Sequence, residues 1–196
     1  MILYLHGFRS SPESAKAQLL ARDVESRGLT DQWLCPQLPA SPAQAMQLAH
    51  RLIEQACPHP TQAATQLTII GSSLGGFYAT CLAEHWQCRA VVLNPVVHAA
   101  RDLATQVGSH HHYHSAEPFE FLASHVDELA AMAVPRPRDP QRYYLLACTG
   151  DEVLDWREMA DWYQGSHGRI IQGGDHGISD FARWLPEVMG FALNLK

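Results

Sequence analysis

Thr68-Ile69-Ile70-Gly71-Ser72-Ser73-Leu74-Gly75-Gly76-Phe77-Tyr78-Ala79-Thr80 changes its period part-way along, and that change decides the fold. A short β-branched run gives way to small residues, after which apolar side chains recur at helical spacing through Phe77, Cys81 and Leu82. The pattern is strand, sharp turn, helix. Within the turn, G-x-S-x-G fits in one frame only. Gly71 and Gly75 flank Ser73, whereas centring the motif on Ser72 would put Ile70 and Leu74 at the glycine positions. Such a turn holds its serine in a strained backbone conformation and leaves no room for side chains two positions to either side. Ser73 is therefore the candidate nucleophile. The motif also arises in ordinary Gly/Ser-rich β-α turns, so its weight depends on the sequence around it.

The chain has 196 residues, 46% of them apolar, which suits one domain with a sizeable core and is short for two. Its formal charge of −6 comes with no basic run and no interleaving of basic and aromatic residues, so nothing supports a nucleic-acid partner. Ile2 to Leu5 is too short for a signal-peptide core and lacks a basic start, and no apolar run approaches the ~20 residues of a membrane span. A cytoplasmic protein without a membrane partner is expected. The five cysteines, Cys35, Cys57, Cys81, Cys88 and Cys148, are odd in number, lack C-x-x-C spacing and sit mostly in apolar contexts. They read as reduced, buried thiols and not as disulfides or a zinc site.

Strands and helices alternate along the chain. Ile2 to Leu5 is a continuous apolar run ending at His6-Gly7-Phe8, the pattern of a buried parallel strand opening onto a glycine turn. Ser11-Pro12 predicts a helix start, with Leu19, Leu20 and Val24 as its stripe and Gly28 as its stop. Trp33-Leu34-Cys35 predicts a second strand. Ser41-Pro42 repeats the start signal for a helix that ends at Pro58. After the serine strand and helix, further strands are predicted at Ala90 to Leu93, Tyr143 to Cys148 and Gly168 to Ile171, with a helix from about Asp155 to Gln164. Pro186 is expected to split the last helical region. About six strands with this alternation predict a single α/β domain over residues 1–196, its mostly parallel sheet carrying helices on both faces. Sites in such sheets form beyond the carboxyl ends of the strands. The exception is an insert at about 96–142 with weak periodicity, read as a partial cap. Within it Phe119 to Met132 has helical spacing, and His110-His111-His112-Tyr113-His114 reads as a solvated loop.

A serine hydroxyl needs a base to take its proton and an acid to hold that base in the right tautomer. Of the twelve histidines, His176 stands out, because Gly173-Gly174-Asp175-His176-Gly177 is a small-residue loop directly after the last predicted strand. The preceding strand ends in Thr149-Gly150-Asp151-Glu152-Val153-Leu154-Asp155, which offers three carboxylates at the same edge. Asp155 stands three residues before Glu158 and reads as a helix cap. Asp151 is the orienting acid, with Asp155 and Glu152 as substitutes, and Asp175 reads as a turn residue bracing the histidine loop. The order Ser73, Asp151, His176, each after a predicted strand, is the order the α/β-hydrolase scaffold requires. In that scaffold the oxyanion donors are the N–H after the nucleophile, Leu74, and one from the first strand's exit loop, Phe8. His6 is read as shaping that loop. Tyr113, Phe119 and Phe121 fit either an acyl pocket or the core of the cap, and Trp156, Trp162 and Trp184 read as packing residues.

LYLHGFRSSPESAKA, GSSLGGFYAT, LNPVV, TGDEVLDW and GGDHGISDF, in this order and nearly filling the chain, resemble the YqiA/YcfP family of small α/β-fold esterases. The His-rich run departs from that resemblance. The resemblance implies hydrolysis of carboxylic esters, without a cofactor or metal, by a Ser/Asp/His triad whose matching positions are Ser73, Asp151 and His176. The expected partner is a small acyl ester of short to medium chain. An acyl-CoA thioesterase on the same triad is one alternative. A noncatalytic protein that uses the His-rich insert as a metal or partner site is the other.

Overall fold

The structure is a computed structural model that describes residues 1–195. In chain order it comprises β1 (Ile2–Leu5), α1 (Ala15–Ser26), β2 (Trp33–Leu34), α2 (Pro42–Ala56), α3 (Pro60–Gln66), β3 (Thr68–Ser72), α4 (Leu74–Trp86) and β4 (Arg89–Leu93). There follow α5 (Ala99–Leu103), β5 (Gly108–His111), β6 (Pro118–Phe121), α6 (Ala123–Met132), β7 (Tyr143–Cys148), α7 (Trp156–Trp162), β8 (His167–Ile171) and α8 (Phe181–Ala192). Six strands form one parallel sheet in the order β2-β1-β3-β4-β7-β8, and β5 and β6 form a separate antiparallel hairpin.

The strands are apolar on both faces, so the two-residue period sorts them into two cores. Leu3, Leu5, Ile69, Val92 and Leu145 face α2 and α4, while Ile2, Tyr4, Ile70, Val91 and Leu146 face α1 and α8. Helix α4 is buried along Leu74 to Ala83, which is why its sequence is apolar all round. The C-terminal ends of β1, β3, β7 and β8 therefore open at one rim, each followed by a loop.

Four local expectations need correction. Helix α1 starts at Ala15, not at Pro12. The Ser11 hydroxyl accepts from Glu13 N at 3.1 Å and Ser11 O accepts from Ser14 N at 3.1 Å, so Ser-Pro-Glu-Ser closes a turn first. Helix α8 is continuous through Pro186. Both Pro186 and Ala182, whose carbonyl loses its N–H donor there, lie on the exposed face, where water can serve as a substitute. Phe119 and Phe121 lie in a strand with alternating burial, and only Ala123 onward is helical. His110 and His111 belong to β5, so the His-rich run begins in a hairpin strand, and only His112 to His114 lie in the loop expected for all of it. Helix α3, which the sequence did not suggest, fills the gap between Pro58 and β3. The Ser41-Pro42 start is as expected, with Ser41 Oγ accepting from Gln44 N at 3.2 Å.

Candidate active site

Ser73 sits between β3 and α4 with φ 55° and ψ −121°, a conformation most non-glycine residues avoid. Its own N–H donates to Leu93 O at 3.0 Å and its carbonyl accepts from Gly76 N at 2.9 Å and Val96 N at 3.1 Å, so the strained residue is held on three sides. The glycine requirement is steric. A Cβ on Gly71 would lie 2.1 Å from Gly75 O, and one on Gly75 would lie 2.0 Å from Leu5 O in the neighbouring strand.

The chain brings His176 and Asp151 to this hydroxyl from the ends of β8 and β7. Ser73 Oγ is 2.9 Å from His176 Nε2, and His176 Nδ1 is 2.8 Å from Asp151 Oδ2. Because a carboxylate oxygen accepts, Nδ1–H donates to Asp151, which leaves Nε2 free to accept the serine proton. The Asp151 side chain is fully buried, and its other oxygen accepts from Val153 N at 2.8 Å and Leu154 N at 2.9 Å. The remaining two carboxylates of that loop serve elsewhere. Asp155 caps α7 by accepting from Arg157 N at 2.9 Å. Glu152 accepts from the backbone N–H of His176 at 3.0 Å.

The histidine loop is braced on every side. Asp175 accepts from Ser179 N at 2.9 Å and from Ser179 Oγ at 2.5 Å, and these bonds hold its carboxyl below the usual range. Lys16 Nζ donates to Gly177 O at 2.5 Å. Asn94, completely buried at the end of β4, donates its Nδ2 hydrogens to Asp175 O and His176 O, both at 3.0 Å, and accepts from Cys148 N at 2.8 Å. A single amide therefore fixes the end of the acid's strand and the histidine's loop together. The sequence reading missed both Asn94 and Lys16. The one local trace of Asn94's role is its place at a strand end before Pro95.

The exit loop of β1 lies against the serine: a Cβ on Gly7 would be 3.2 Å from Ser73 Cβ. The N–H of Phe8 has no acceptor among the described residues, and Leu74, first in α4, presents one of the free N–H groups of a helix start. His6 is buried and holds this loop. It accepts from Leu38 N at Nε2 (3.0 Å) and donates from Nδ1 to Gly7 O (2.9 Å), and burial pushes its pKa down to about 4. The β5–β6 hairpin clamps the loop from above. The Phe8 ring meets Phe119 and Phe121 edge-on at 5.1 Å, Arg9 Nε donates to His111 O at 2.8 Å, and Tyr113 N donates to Arg9 O at 2.9 Å.

A cavity of about 740 Å³ opens beside Ser73 and His176. Of the three insert aromatics, Tyr113 lines it and is 66% exposed, whereas Phe119 and Phe121 are buried in the core beneath the hairpin. Trp162 and Trp184 pack against the two cores, and Trp156 is half-buried beneath the Arg157 guanidinium. All five cysteines are free thiols, four of them buried, and burial pushes Cys81 and Cys88 up to about 12. Among the described residues no group of three or more His, Cys, Asp or Glu side chains is gathered as metal ligands would be, the His-rich strand included. No helix among them is long and apolar enough to cross a membrane.

A parallel six-stranded sheet with a strained serine at the β3–α4 turn defines the α/β-hydrolase fold, and solved structures share it. The chain is similar to Est1E from Butyrivibrio proteoclasticus, solved with ferulic acid, at 11% identity and TM-score 0.70, covering 98% of this chain and 88% of that one. Mouse alpha/beta hydrolase domain-containing protein 10 matches at 16% identity and TM-score 0.69, over 96% and 88% of the two chains. The monoacylglycerol lipase of Paleococcus ferrophilus matches at 14% identity and TM-score 0.66, over 97% and 94%. Residues 1–193 match UPF0227, described as an uncharacterised protein family, and the chain belongs to that family, the one that YqiA and YcfP typify.

Proposed function

We propose that the protein is a serine esterase that hydrolyses short to medium acyl esters through an acyl-enzyme. The observation that carries this reading is the unbroken relay from Ser73 Oγ to His176 Nε2 (2.9 Å) and from His176 Nδ1 to Asp151 (2.8 Å). In it His176 takes the serine proton as Oγ adds to the ester carbonyl, and Asp151 holds the ring in the tautomer that leaves Nε2 basic. The N–H groups of Phe8 and Leu74 stabilise the oxyanion. His176 then protonates the departing alcohol, and water, deprotonated by the same ring, releases the acid. The cavity volume suits a small substrate. The ferulic acid bound by Est1E and the lipase among the similar structures fit an acyl substrate here as well.

A p-nitrophenyl ester series of increasing chain length, run beside fluorophosphonate labelling, tests the proposal. Ser73→Ala is expected to abolish labelling and lower turnover by about 10⁶-fold, and Asp151→Asn by roughly 10⁴-fold. Turnover retained in purified Ser73→Ala would reject the assignment.

A further inference from the structure

The cavity beside Ser73 has walls of two kinds. Val96, Leu103, Val153 and Leu154 make one apolar, whereas Tyr4, Ser10, Ser14, Lys16 and Ser72 make the other polar. Lys16 is one of only two lysines in a chain whose other fixed cations are all arginines, so its placement here is not part of a general lysine-rich surface.

The Lys16 ammonium is incompletely satisfied. It has three N–H donors and gives one to Gly177 O at 2.5 Å. Among the described residues no hydrogen-bond partner takes the other two, and no carboxylate lies within ion-pair distance. The carboxylates that act on it through space are Asp175 and Asp151, which raise its pKa, while burial lowers it by more. Both carboxylates are already engaged, Asp175 by Ser179 and Asp151 by His176, Val153 and Leu154. Asp102, on the cavity wall, is paired with Arg101 at 2.7 Å. A cation drawn partly out of water without a counter-charge is costly, and an anion entering the cavity would offset that cost.

The surroundings of Lys16 share this lack. Helix α1 starts at this wall, and Ser14 at its N-cap position makes no side-chain cap, so the N–H groups of the first turn lack partners among the described residues. Ser14 Oγ is buried beside the Tyr4 phenol without a hydrogen bond of good geometry. An ammonium and helix-start N–H groups, both short of acceptors, converge on the cavity that holds the reactive serine.

We propose that the cavity takes esters bearing a second, anionic group, a carboxylate or a phosphate, seated on the Lys16 ammonium at the start of α1 while Ser73 attacks the ester carbonyl. The proposal rests on the esterase reading. Water cleaves the ester into an acid and an alcohol, and one of the two keeps the anion.

Four substrates test it: p-nitrophenyl hydrogen glutarate against p-nitrophenyl methyl glutarate, with the anion in the acyl group, and 4-acetoxybenzoate against its methyl ester, with the anion in the leaving group. In at least one pair the wild type is expected to prefer the anionic member. Lys16→Met should lower that preference by about 10- to 100-fold, the range of a charge-assisted hydrogen bond. Lys16→Arg should restore part of it. Reading the ratio within each pair removes any effect of losing the Gly177 contact, which acts on both members alike. Should Lys16→Met not fold, the wild-type preference must itself weaken as sodium chloride is raised.

Calorimetry with glutarate and with inorganic phosphate, on the wild type, Ser73→Ala and Lys16→Met, separates carboxylate from phosphate and binding from catalysis. Binding to the first two proteins and at least about a 10-fold loss in the third is the expected result. A ratio unchanged by Lys16→Met, or no binding of either anion, overturns the proposal and leaves the esterase reading in place. Anion binding through Lys16 in a protein that cleaves none of the esters upholds the anion seat and removes the esterase reading instead.

Discussion

Among single residues, His6 and Asn94 do the most to hold the candidate site together without belonging to the relay. His6 must be neutral, because its Nε2 accepts from Leu38 N. Its pKa in the folded chain, about 4, lies below the ~6.5 of an unfolded one. The unfolded chain therefore binds the extra proton first. The stability His6 contributes is fully present above about pH 6.5 and is lost as pH falls toward 4, by roughly 3 kcal/mol in all. Urea denaturation across that range should show the loss, and His6→Gln should flatten it. Asn94→Ala would strip a donor from Asp175 O and His176 O and an acceptor from Cys148 N where the Asn94 side chain itself is completely buried. Losing these bonds should lower kcat about 10²-fold, because the histidine loop shifts against Ser73, with a fall in stability of about 2–4 kcal/mol. Wild-type kcat in a folded Asn94→Ala protein would show the tie to be dispensable.

At the level of elements, legibility in the sequence tracked how local each element's cause is. The sheet strands and the Ser73 turn could be read because apolar runs and glycine spacing lie within a few residues of each other. The hairpin could not: Phe119 and Phe121 alternate over only four strand residues before the helical spacing of α6 begins. What makes β5 a strand is its pairing with β6 and the Phe8 ring, which His110 meets edge-on at 5.8 Å. The hairpin accordingly acts as a clamp on the exit loop of β1, a role for the insert that depends on contacts from Arg9 to His111. Pro186 illustrates the opposite error, in which a strong local signal is overruled by tertiary packing. Val188, Met189 and Ala192 bury one face of α8 against the sheet and hold the helix together across the missing hydrogen bond. Pro186→Ala, which returns the N–H to Ala182 O, should raise stability by about 1–3 kcal/mol in urea titration without altering turnover.

For the whole molecule, the three relay side chains and the Phe8 loop come from four strand ends, and the parallel order β1-β3-β4-β7-β8 is what gathers them. The chain order of Ser73, Asp151 and His176 carried enough information to anticipate that meeting. The supports at Asn94 and Lys16 did not show, because their partners lie 81 and 161 residues away and no local pattern connects them. The sheet also sets how closely its layers approach, and two of the glycines in helices mark the range. A methyl group on Gly75 would stand 2.0 Å from Leu5 O, between the strand that leads to Phe8 and the helix that follows Ser73. Neither backbone can yield without moving the other's site residue, so Gly75→Ala should cost both folded yield and nearly all activity. Gly190, inside α8, has nothing within 4 Å of such a methyl. There the same substitution should add about 0.5–1 kcal/mol by helix propensity alone and leave turnover unchanged. Expression yield, urea midpoint and ester turnover measured on the two variants side by side would expose any error in the packing. An active Gly75→Ala protein would mean that β1 and α4 are farther apart than the relay geometry requires.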